Sequence, residues 1–339
     1  MNGIKRVVVT GAAGFIGAAV ASRLARQGVD VIALDLRPPS AATEGIVAVR
    51  CDICDARAVA RLVRGHAPID AVVHTAAIVD DFGDPALFRR VNVEGTLNLM
   101  RAAESVGVKR FVHLSSIVVC GDDPGFDVSE EAPYGPSGAP YTDTKIESEA
   151  IARQFHAAGR LDVAVVRPGD VYGAESVPWV VRPLIMLRDG LFLFFDEGAG
   201  LIANTYIDNL VDGIGLALER PEASGQVYTI TDGAPTTFRS YLSLLAAAGG
   251  FAPPKRSVPM GAALAIAAAA ELALPLVGQK PPFSRAAVRW VGRRATYSIE
   301  KARRELGYRP MIELAEGMEA IGQWLRRIGG PQRLVARRA

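Results

Sequence analysis

A tyrosine and a lysine stand four residues apart in the segment YTDTK, which holds Tyr141 and Lys145. A helix would place both side chains on one face. A free tyrosine has a pKa of about 10, too high for a base at neutral pH, but a neighbouring ammonium favours the phenolate. The pair could therefore move a proton to or from a substrate oxygen, provided that the rest of the chain positions a substrate beside it.

Short β-branched runs alternate with helical patterns in the first half of the chain. We interpret six of these runs as strands buried on both faces: 5–10, 29–35, 45–51, 70–76, 110–116 and 163–169. The intervening helices are predicted over residues 14–28 and 86–107, and both end at a glycine. This alternation predicts a doubly wound parallel α/β sheet, and residues 226–232 are predicted to add a late strand to it.

The pattern changes after about Gly173, where proline, glycine and aromatic residues become frequent. We expect a smaller, mostly helical, substrate-binding cap over the carboxyl edge of the sheet. The predicted cap comprises residues 174–202 and 233–330. Residues 1–173, completed by about 203–232, form the predicted nucleotide-binding domain, and residues 331–339 are expected to be a solvated tail.

A glycine-rich turn follows the first predicted strand in the segment TGAAGFIG. Its glycines are Gly11, Gly14 and Gly17. A glycine here allows a positive φ, lets the backbone approach a pyrophosphate, and lets the helix pack closely on the strand. The free N–H groups and the dipole at the helix N-terminus then favour phosphate. The pattern predicts a dinucleotide site of the Rossmann type.

Asp35 ends the second predicted strand, where a carboxylate can bond both ribose hydroxyls of an adenosine and repel a 2′-phosphate. This favours NAD over NADP, although Arg37 could hold a 2′-phosphate. Asp52 and Ile53 follow the third predicted strand, where an adenine would lie.

Several motifs occur in the order seen in extended short-chain dehydrogenases/reductases, and they cover almost the whole chain: TGAAGFIG, DICD, HTAA, NVEGT, LSS, YTDTK and RPGDVYG. The chain resembles that family. The resemblance implies a Rossmann domain that binds NAD and a C-terminal substrate domain. It also implies a catalytic centre in which Tyr141 transfers the proton, Lys145 assists it and contacts the nicotinamide ribose, Ser116 bonds the substrate oxygen, and Asn92 braces the site. Further cofactor contacts are expected at Phe15, Ile16, Ala76, Pro168 and Val171.

Within this family the motifs most resemble the 3β-hydroxysteroid dehydrogenase-like branch and bacterial 2-alkyl-3-oxoalkanoate reductases, which handle apolar substrates. Substrate contacts are expected at Ile78, Ser116, Ile117, Tyr141 and Trp179. An aromatic run from Trp179 to Phe195 is open to two interpretations, an apolar pocket wall or ordinary core packing.

We therefore expect an NAD-dependent oxidoreductase that interconverts a secondary alcohol and a ketone, with oxidation of a 3β-hydroxysteroid as the first reaction to test; a 3-hydroxy acid is the related option. The alternative is a sugar-nucleotide epimerase or dehydratase. Sugar-nucleotide members carry an aromatic–Asn pair before VYG, and this chain has Pro168 and Gly169 instead. The segment LSSIVV also lacks the acid–base carboxylates of dehydratases. A nucleotide-sensing protein without activity is the third option.

Composition excludes several other classes of protein. The net charge of +2 predicts no nucleic-acid partner, and 3 Cys with no histidine cluster predict no metal site, despite the C-x-x-C of Cys51 and Cys54. No signal peptide is recognised, so we expect a cytoplasmic protein. The apolar run Met260–Gly278 is interrupted by Glu271 and Pro275, which predicts a helix over an apolar pocket or in peripheral contact with a membrane rather than a span.

We also expect a homodimer, because extended members of the family usually pair through the helix that carries the tyrosine and the helix before it. Here these are residues 141–158 and 85–106, which are rich in Leu, Ile, Val and Ala.

Overall fold

The computed structural model of the protein describes residues 3–37, 44–279, 281 and 283–335. The strands are β1 (Arg6–Thr10), β2 (Asp30–Asp35), β3 (Ile46–Arg50), β4 (Ala71–His74), β5 (Arg110–Leu114), β6 (Val163–Pro168), β7 (Asp170–Tyr172), β8 (Phe194–Phe195), β9 (Leu201–Ile202), β10 (Asn204–Tyr206), β11 (Val227–Ile230), β12 (Thr236–Thr237) and β13 (Ser257–Val258).

Seven of these strands form one parallel sheet in the order β11-β6-β5-β4-β1-β2-β3. Val8 of β1 lies between Ile32 of β2 and Val72 of β4. The chain therefore runs outward from β1 in both directions, and the crevice at the carboxyl ends of β1 and β4 is the place where such sheets bind ligands. The predicted fold class is confirmed, and β11 joins the sheet as expected.

The strand predicted over residues 45–51 is not buried on both faces. β3 is the edge strand of the sheet, and Val47, Ala48 and Arg50 are exposed. Its β-branched residues fit an edge strand equally well, so composition by itself could not distinguish an edge position from a central one.

The helices are α1 (Phe15–Arg26), α2 (Ala56–Gly65), α3 (Pro85–Phe88), α4 (Gly95–Ser105), α5 (Pro140–Ala157), α6 (Arg182–Arg188), α7 (Ile207–Glu219), α8 (Phe238–Ala248), α9 (Met260–Ala273), α10 (Arg285–Gly292) and α11 (Leu314–Arg327). Wider π turns occur at Arg89–Glu94, Val177–Val181 and Ala302–Leu306. Short 3-10 turns occur at Ile117–Cys120, Asp196–Gly198, Pro221–Ala223, Leu274–Val277 and Pro331–Arg333.

The helix predicted over residues 86–107 is interrupted. α3 and α4 are joined by the π turn Arg89–Glu94, which contains the buried Asn92. Such one-turn π insertions are frequent at functional sites.

The cap is built around apolar packing. Phe192 and Phe194 are buried in the main core and stack edge-on, and Phe194 also meets Phe238 of α8. Of the two interpretations of the aromatic run, core packing is the one that the structure shows for these phenylalanines. Phe195 instead packs in a small cluster with α9 and α10.

The predicted solvated tail is partly wrong. Leu334 is buried in the main core, and the guanidinium of Arg188 donates to its carbonyl at 2.8 Å. Residues 336–339 of the predicted tail lie outside the described residues. The boundaries of the two predicted domains stay a prediction. Among the residues that the structure describes, no helix is both long and apolar enough to cross a membrane.

The turn between β1 and α1 has no room for side chains at two of its glycines. Gly11 has a φ of +66°, and a Cβ there would lie 2.8 Å from the backbone nitrogen of Ala76. A Cβ on Gly17 would lie 2.2 Å from the carbonyl oxygen of Gly11. Both obstacles are backbone atoms, so a side chain at either position would displace the turn.

We predict that Gly17→Ala lowers the free energy of unfolding by about 2 kcal/mol, because overpacking against backbone forces the turn apart. Urea denaturation measures the effect, and NADH binding should weaken in parallel. Gly215→Ala is the matched control, since Gly215 is also helical but has no atom within 4 Å of its Cβ direction. It should be neutral or stabilising by up to about 1 kcal/mol. Equal stability of the two variants would contradict the prediction.

Candidate active site

Ser116 and Tyr141 meet at the carboxyl edge of the sheet. Ser116 follows β5 after one residue, Ser115, and is buried, and its hydroxyl is near enough to the Tyr141 phenol to lower the pKa of that phenol. Tyr141 is the second residue of α5, which begins with Pro140, a residue suited to the first helical position. Asp143 stabilises the entry to the helix by accepting from the amides of Ser137 (3.1 Å) and Gly138 (3.3 Å). The phenol is thereby held against the end of β5.

Burial sets the protonation states of Tyr141 and Lys145. Burial raises the pKa of Tyr141 to about 12, and the hydrogen bond with Ser116 opposes this rise. Burial lowers the pKa of Lys145 to about 8, opposed by the charge of Glu149. The Lys145 ammonium donates to the carbonyl of Leu114 at 2.6 Å.

Desolvation of the phenol keeps Tyr141 protonated at neutral pH. A lowering of its pKa by Lys145 together with a positively charged nicotinamide stays a prediction.

Asn92 connects the loop after β4 to α5. Its side chain accepts from the amide of Ile78 at 2.7 Å, donates to the carbonyl of Ile78 at 3.2 Å, and donates to Thr144 at 3.0 Å. Thr144 lies between Tyr141 and Lys145 on α5. The amide oxygen and nitrogen of Asn92 thus bond the backbone of Ile78 and the side chain of Thr144 on α5. These bonds fit the bracing role that the resemblance implied.

The residues around the first turn fit a dinucleotide. Gly14 is the exposed N-cap of α1 and has no side chain to cap the first amides, which leaves them available to a phosphate. Asp35 accepts from the amides of Ala13 and Arg37, both at 3.0 Å, and each oxygen keeps acceptor capacity for a ribose hydroxyl. Phe15 lies against Gly173, because a Cβ on that glycine would approach its ring to 3.3 Å. Ile16 follows in the first turn of α1 and is half-buried.

The loop predicted to contact adenine is held by a residue that the sequence analysis missed. Asn98 of α4 donates to the carbonyl of Ile53 at 3.0 Å, and Asp52 accepts from the amide of Cys54 at 2.8 Å. The Ile53 side chain is buried in the core. Cys51 and Cys54 are unbridged, and within the described ranges no group of three or more His, Cys, Asp or Glu side chains could hold a metal.

The remaining residues predicted to contact the cofactor or the substrate differ in how deeply they are buried. The amide of Ala76 donates to Thr10 at 3.3 Å beside Gly11. Pro168 ends β6, and Val171 is buried in β7. Ile117 is buried next to Ser116. Trp179 packs on the main core, and its carbonyl accepts from Tyr241 at 2.9 Å, so its described contacts are those of core packing.

A buried ion pair anchors α5 behind the site, and the sequence analysis missed it. Arg167 of β6 bonds Glu149 of α5 twice, at 2.6 Å and 3.0 Å, and both side chains are at most 1% exposed. Glu149 also accepts from Ser115 at 2.5 Å and from Tyr134 at 3.0 Å. The sequence could have indicated Glu149, because it follows Lys145 by four residues, as Lys145 follows Tyr141. This spacing places the three side chains on one face of a helix.

A second buried ion pair lies on the substrate side. Asp170, which directly precedes VYG, bonds the guanidinium of Arg293, the indole N–H of Trp290 at 3.0 Å and the amide of Ala203 at 2.9 Å. Arg293 also stacks on the Trp290 ring, 3.7 Å from its centroid. No local spacing connects Asp170 with Arg293, so only the folded chain could identify the pair.

Comparison with known proteins agrees with this geometry. Residues 7–231 match the model of the NAD-dependent epimerase/dehydratase family. The chain belongs to this family. It is 33% identical over 322 residues to 4-hydroxy-2-methyl-3-oxo-4-farnesyl-3,4-dihydroquinoline-1-oxide ketoreductase of Stigmatella aurantiaca, with 94% of this chain and 96% of that protein covered. It is 30% identical over 329 residues to 3-beta-hydroxysteroid dehydrogenase of Mycolicibacterium neoaurum, with coverages of 92% and 89%.

The family also includes sugar-nucleotide enzymes of the same fold. The structure of DesIV, a dTDP-glucose 4,6-dehydratase from Streptomyces venezuelae with NAD and TYD bound, superposes with a TM-score of 0.76 at 28% identity and covers 96% of this chain and 98% of that chain. The resemblance to extended short-chain dehydrogenases/reductases is confirmed, as are the NAD cofactor and the assignment as a dehydrogenase or reductase.

We predict that Glu149→Gln lowers the free energy of unfolding by about 3–5 kcal/mol, because it leaves the Arg167 guanidinium buried without a counter-charge. Chemical denaturation measures the loss. Replacing both Glu149 and Arg167 by Met should recover at least half of it. Glu104→Gln is the control, since Glu104 forms an exposed pair with Arg160 and should change stability little. Similar losses from Glu149→Gln and Glu104→Gln would show that the buried pair has no special role.

We predict that the protein binds NADH more tightly than NADPH, and that Asp35→Ala reduces the ratio of the two Kd values at least tenfold. The carboxylate of Asp35 repels a 2′-phosphate, and Arg37 is exposed beside it. Fluorescence titration with both nucleotides measures the ratio. Asp30→Ala, at the other end of β2, should leave the ratio unchanged. Equal Kd values in the wild-type protein would refute the role of Asp35.

Proposed function

We propose that the protein reduces a ketone on a bulky apolar skeleton to a secondary alcohol, with NADH as cofactor. The observation that carries this proposal is the placement of Ser116 and Tyr141 at the carboxyl edge of the sheet, next to the apolar cluster that contains Ile117 and Ile146. A neutral phenol at neutral pH is ready to give a proton, which is what an oxygen gaining negative charge requires. The same phenol takes the proton back when an alcohol is oxidised, so Tyr141 serves both reduction and the oxidation that the sequence analysis expected. The ketoreductase among the relatives supports reduction as the direction to test first.

The chain's own groups divide the work around the substrate oxygen. Ser116 donates a hydrogen bond to the carbonyl oxygen as negative charge develops there. Tyr141 transfers its proton to the same oxygen. Lys145, largely cationic below its pKa of about 8, stabilises the phenolate that remains. When bound in its reduced form, NAD supplies the hydride.

The wall next to these groups is apolar. Ile117 and Ile146 are the chain neighbours of Ser116 and Lys145, and both belong to one cluster. The cluster also contains Val119, Cys120, Val128, Ala203, Ala295 and Tyr297, with Ala132, Tyr134 and Trp290 packed against it. Burying about 300 Å² of an apolar substrate contributes on the order of 7 kcal/mol before ordering costs, which is compatible with micromolar affinity.

A sugar nucleotide fits this wall poorly. In sugar-nucleotide members the asparagine before VYG meets the diphosphate, and Asp170 stands immediately before VYG here. Its carboxylate is committed to Arg293, Trp290 and Ala203. The Asp170–Arg293 pair is neutral overall, so it offers a diphosphate neither a free cation nor the amide donor of an asparagine. The dTDP-glucose 4,6-dehydratase relative keeps a dehydratase or epimerase as the second candidate.

The choice of substrate follows from these contacts and from the relatives. The ketoreductase of Stigmatella aurantiaca acts, by its name, on a farnesylated ketone, and the Mycolicibacterium neoaurum enzyme on 3β-hydroxysteroids. Both names describe large apolar skeletons that carry one reacting oxygen. We propose a 3-oxosteroid and a prenylated cyclic ketone as the first substrates to test, followed by a 3-oxo acid with a long alkyl chain.

We also propose that the chain forms a homodimer through α4 and α5. Leu97 of α4 and Ile151 of α5 are half-buried, as is Val91 in the π turn before α4. The surrounding surface is charged, and Arg89 bridges Glu94 and Glu147 within one chain. A dimer contact there would be smaller and more polar than the composition of the helices suggests.

We predict NADH consumption with a 3-oxosteroid or prenylated ketone and none with UDP- or dTDP-sugars. Tyr141→Phe should lower kcat by about 100- to 10,000-fold, because the phenol supplies the proton, while NADH binding stays within about twofold. Absorbance of NADH measures turnover, and fluorescence titration measures binding.

Tyr228→Phe is the control, since Tyr228 is a phenol of β11 that bonds Glu305 rather than Ser116. It should keep most of the activity. If Tyr141→Phe retains more than a tenth of wild-type kcat, the proton donor is wrong. Turnover of a sugar nucleotide, with none of any apolar ketone or alcohol, would favour the second candidate.

A further inference from the structure

The outer face of α9 is apolar from end to end and open to solvent. Ala263 and Ala267 are its buried residues, and they pack on α10 and Phe195. On the opposite side Ile266 is 53% exposed, and the following turns present Leu272 at 77% and Leu276 at 84%. The other exposed positions of α9 are glycine or alanine: Gly261, Ala262, Ala265, Ala269 and Ala273. A helix that is hydrophobic on all sides is normally buried, so this face lacks a partner among the described residues.

The sequence around α9 is strongly basic. Residues 255–294 contain seven Lys or Arg and one acidic residue, Glu271, a net charge of +6. The whole chain has a net charge of +2, so the remainder carries −4. The positive charge is thus concentrated in the segment that carries the open apolar face.

Exposed cations lie near α9 in two places, before its N-terminal end and on the neighbouring α10. Lys255 and Arg256 are exposed just before β13 and the start of α9, and Arg285 and Arg289 are exposed on α10, which packs against α9. Arg285 pairs with Glu271 and neutralises it.

Nearby carboxylates offset part of this charge. Asp196 accepts from the amide of Met260, where α9 begins, and Glu197 pairs with Arg239. Asp122 lies 4.0 Å from Arg289. These groups are five cations and four carboxylates, so their net charge is +1, and Lys255 and Arg256 are the cations that form no ion pair among the described residues.

We propose that α9 docks the protein on an anionic lipid surface, with Ile266, Leu272 and Leu276 inserted among the acyl chains and the neighbouring cations on the headgroups. This combination of an apolar face and nearby cations is what membrane-surface helices present. The cations here come from β13 and α10 rather than from α9 itself.

A second copy of the chain is a poorer occupant of this face. A helix of 14 residues is about 21 Å long and about 10 Å across, so its open side covers on the order of 200 Å². A stable interface needs about 800 Å² on each partner. A symmetric pair through α9 would also bring the cations of both copies together, and an anionic surface would attract them.

The proposal is independent of the proposed reaction, because it places no catalytic residue on α9. It does provide a physical route for an apolar substrate, since such molecules partition into the bilayer that the cap would touch.

Vesicle flotation of the full-length protein at 0.1 M salt tests the proposal. The vesicles contain phosphatidylcholine with 30% phosphatidylglycerol, or phosphatidylcholine alone. We expect binding to the anionic vesicles at least tenfold tighter than to the neutral ones. The combined variant Ile266→Gln, Leu272→Gln and Leu276→Gln should bind at least tenfold more weakly than wild type. Lys255→Gln with Arg256→Gln should lose at least fivefold on anionic vesicles only.

A matched control replaces the exposed residues Val47, Leu244 and Met311 by Gln, and it should bind within twofold of wild type. Circular dichroism and the melting temperature check that each variant is folded. Leu276→Gln by itself provides a second test if the combined variant fails to fold, and it should weaken binding about threefold or more.

Three results would overturn the proposal. The first is a wild-type protein that floats with neither kind of vesicle, and the second is a combined variant that binds as tightly as wild type. The third is a wild-type dimer by light scattering that the combined variant converts to a monomer without any vesicle binding, which would make the face a contact between two copies.

Discussion

The burial of the Arg167–Glu149 pair is the constraint on which the site depends. Two charges with at most 1% exposure are tolerated because each oxygen of Glu149 accepts more than one hydrogen bond, from Arg167, Ser115 and Tyr134. The pair joins α5 to the ends of β5 and β6. It therefore fixes the distance between the helix that carries Tyr141 and the strand end that carries Ser116.

On the cofactor side, the close approach of α1 to the turn after β1 constrains the structure in the same way. Gly17 lets α1 touch the turn after β1, and Thr75 closes the same contact by donating to the carbonyl of Thr10 at 2.7 Å. The open N-terminus of α1 and the carboxylate of Asp35 then face the same crevice as Tyr141. A rigid scaffold of buried strands and two tight helix contacts is enough to hold both halves of the reaction together.

Low polarity around these anchors determines the charge states. Burial holds Tyr141 protonated, and burial lowers the pKa of His74 to about 3. His74 is neutral at pH 7. Its two ring nitrogens form hydrogen bonds with the hydroxyls of Thr10, at 2.7 Å, and Thr96, at 2.8 Å. Two buried charges have buried partners of opposite sign, Asp170 in Arg293 and Glu149 in Arg167. The substrate side is left apolar, and this is why we favour a hydrophobic ketone.

The sequence by itself determined the parallel sheet, the glycine turn and the identity of Ser116, Tyr141 and Lys145. The sheet, the turn and the Tyr141–Lys145 pair follow from a local spacing: apolar runs of six or seven residues, glycines at three-residue intervals, or a helical repeat of four. Ser116 follows from the resemblance to the family. The tertiary structure decided the features that join distant segments. It made β3 an edge strand, directed the Lys145 ammonium to Leu114, and paired Asp170 with Arg293 over 123 residues. It also left one side of α9 open. Local spacing determines which face of an element a side chain occupies, but its partner and its pKa depend on which elements end side by side.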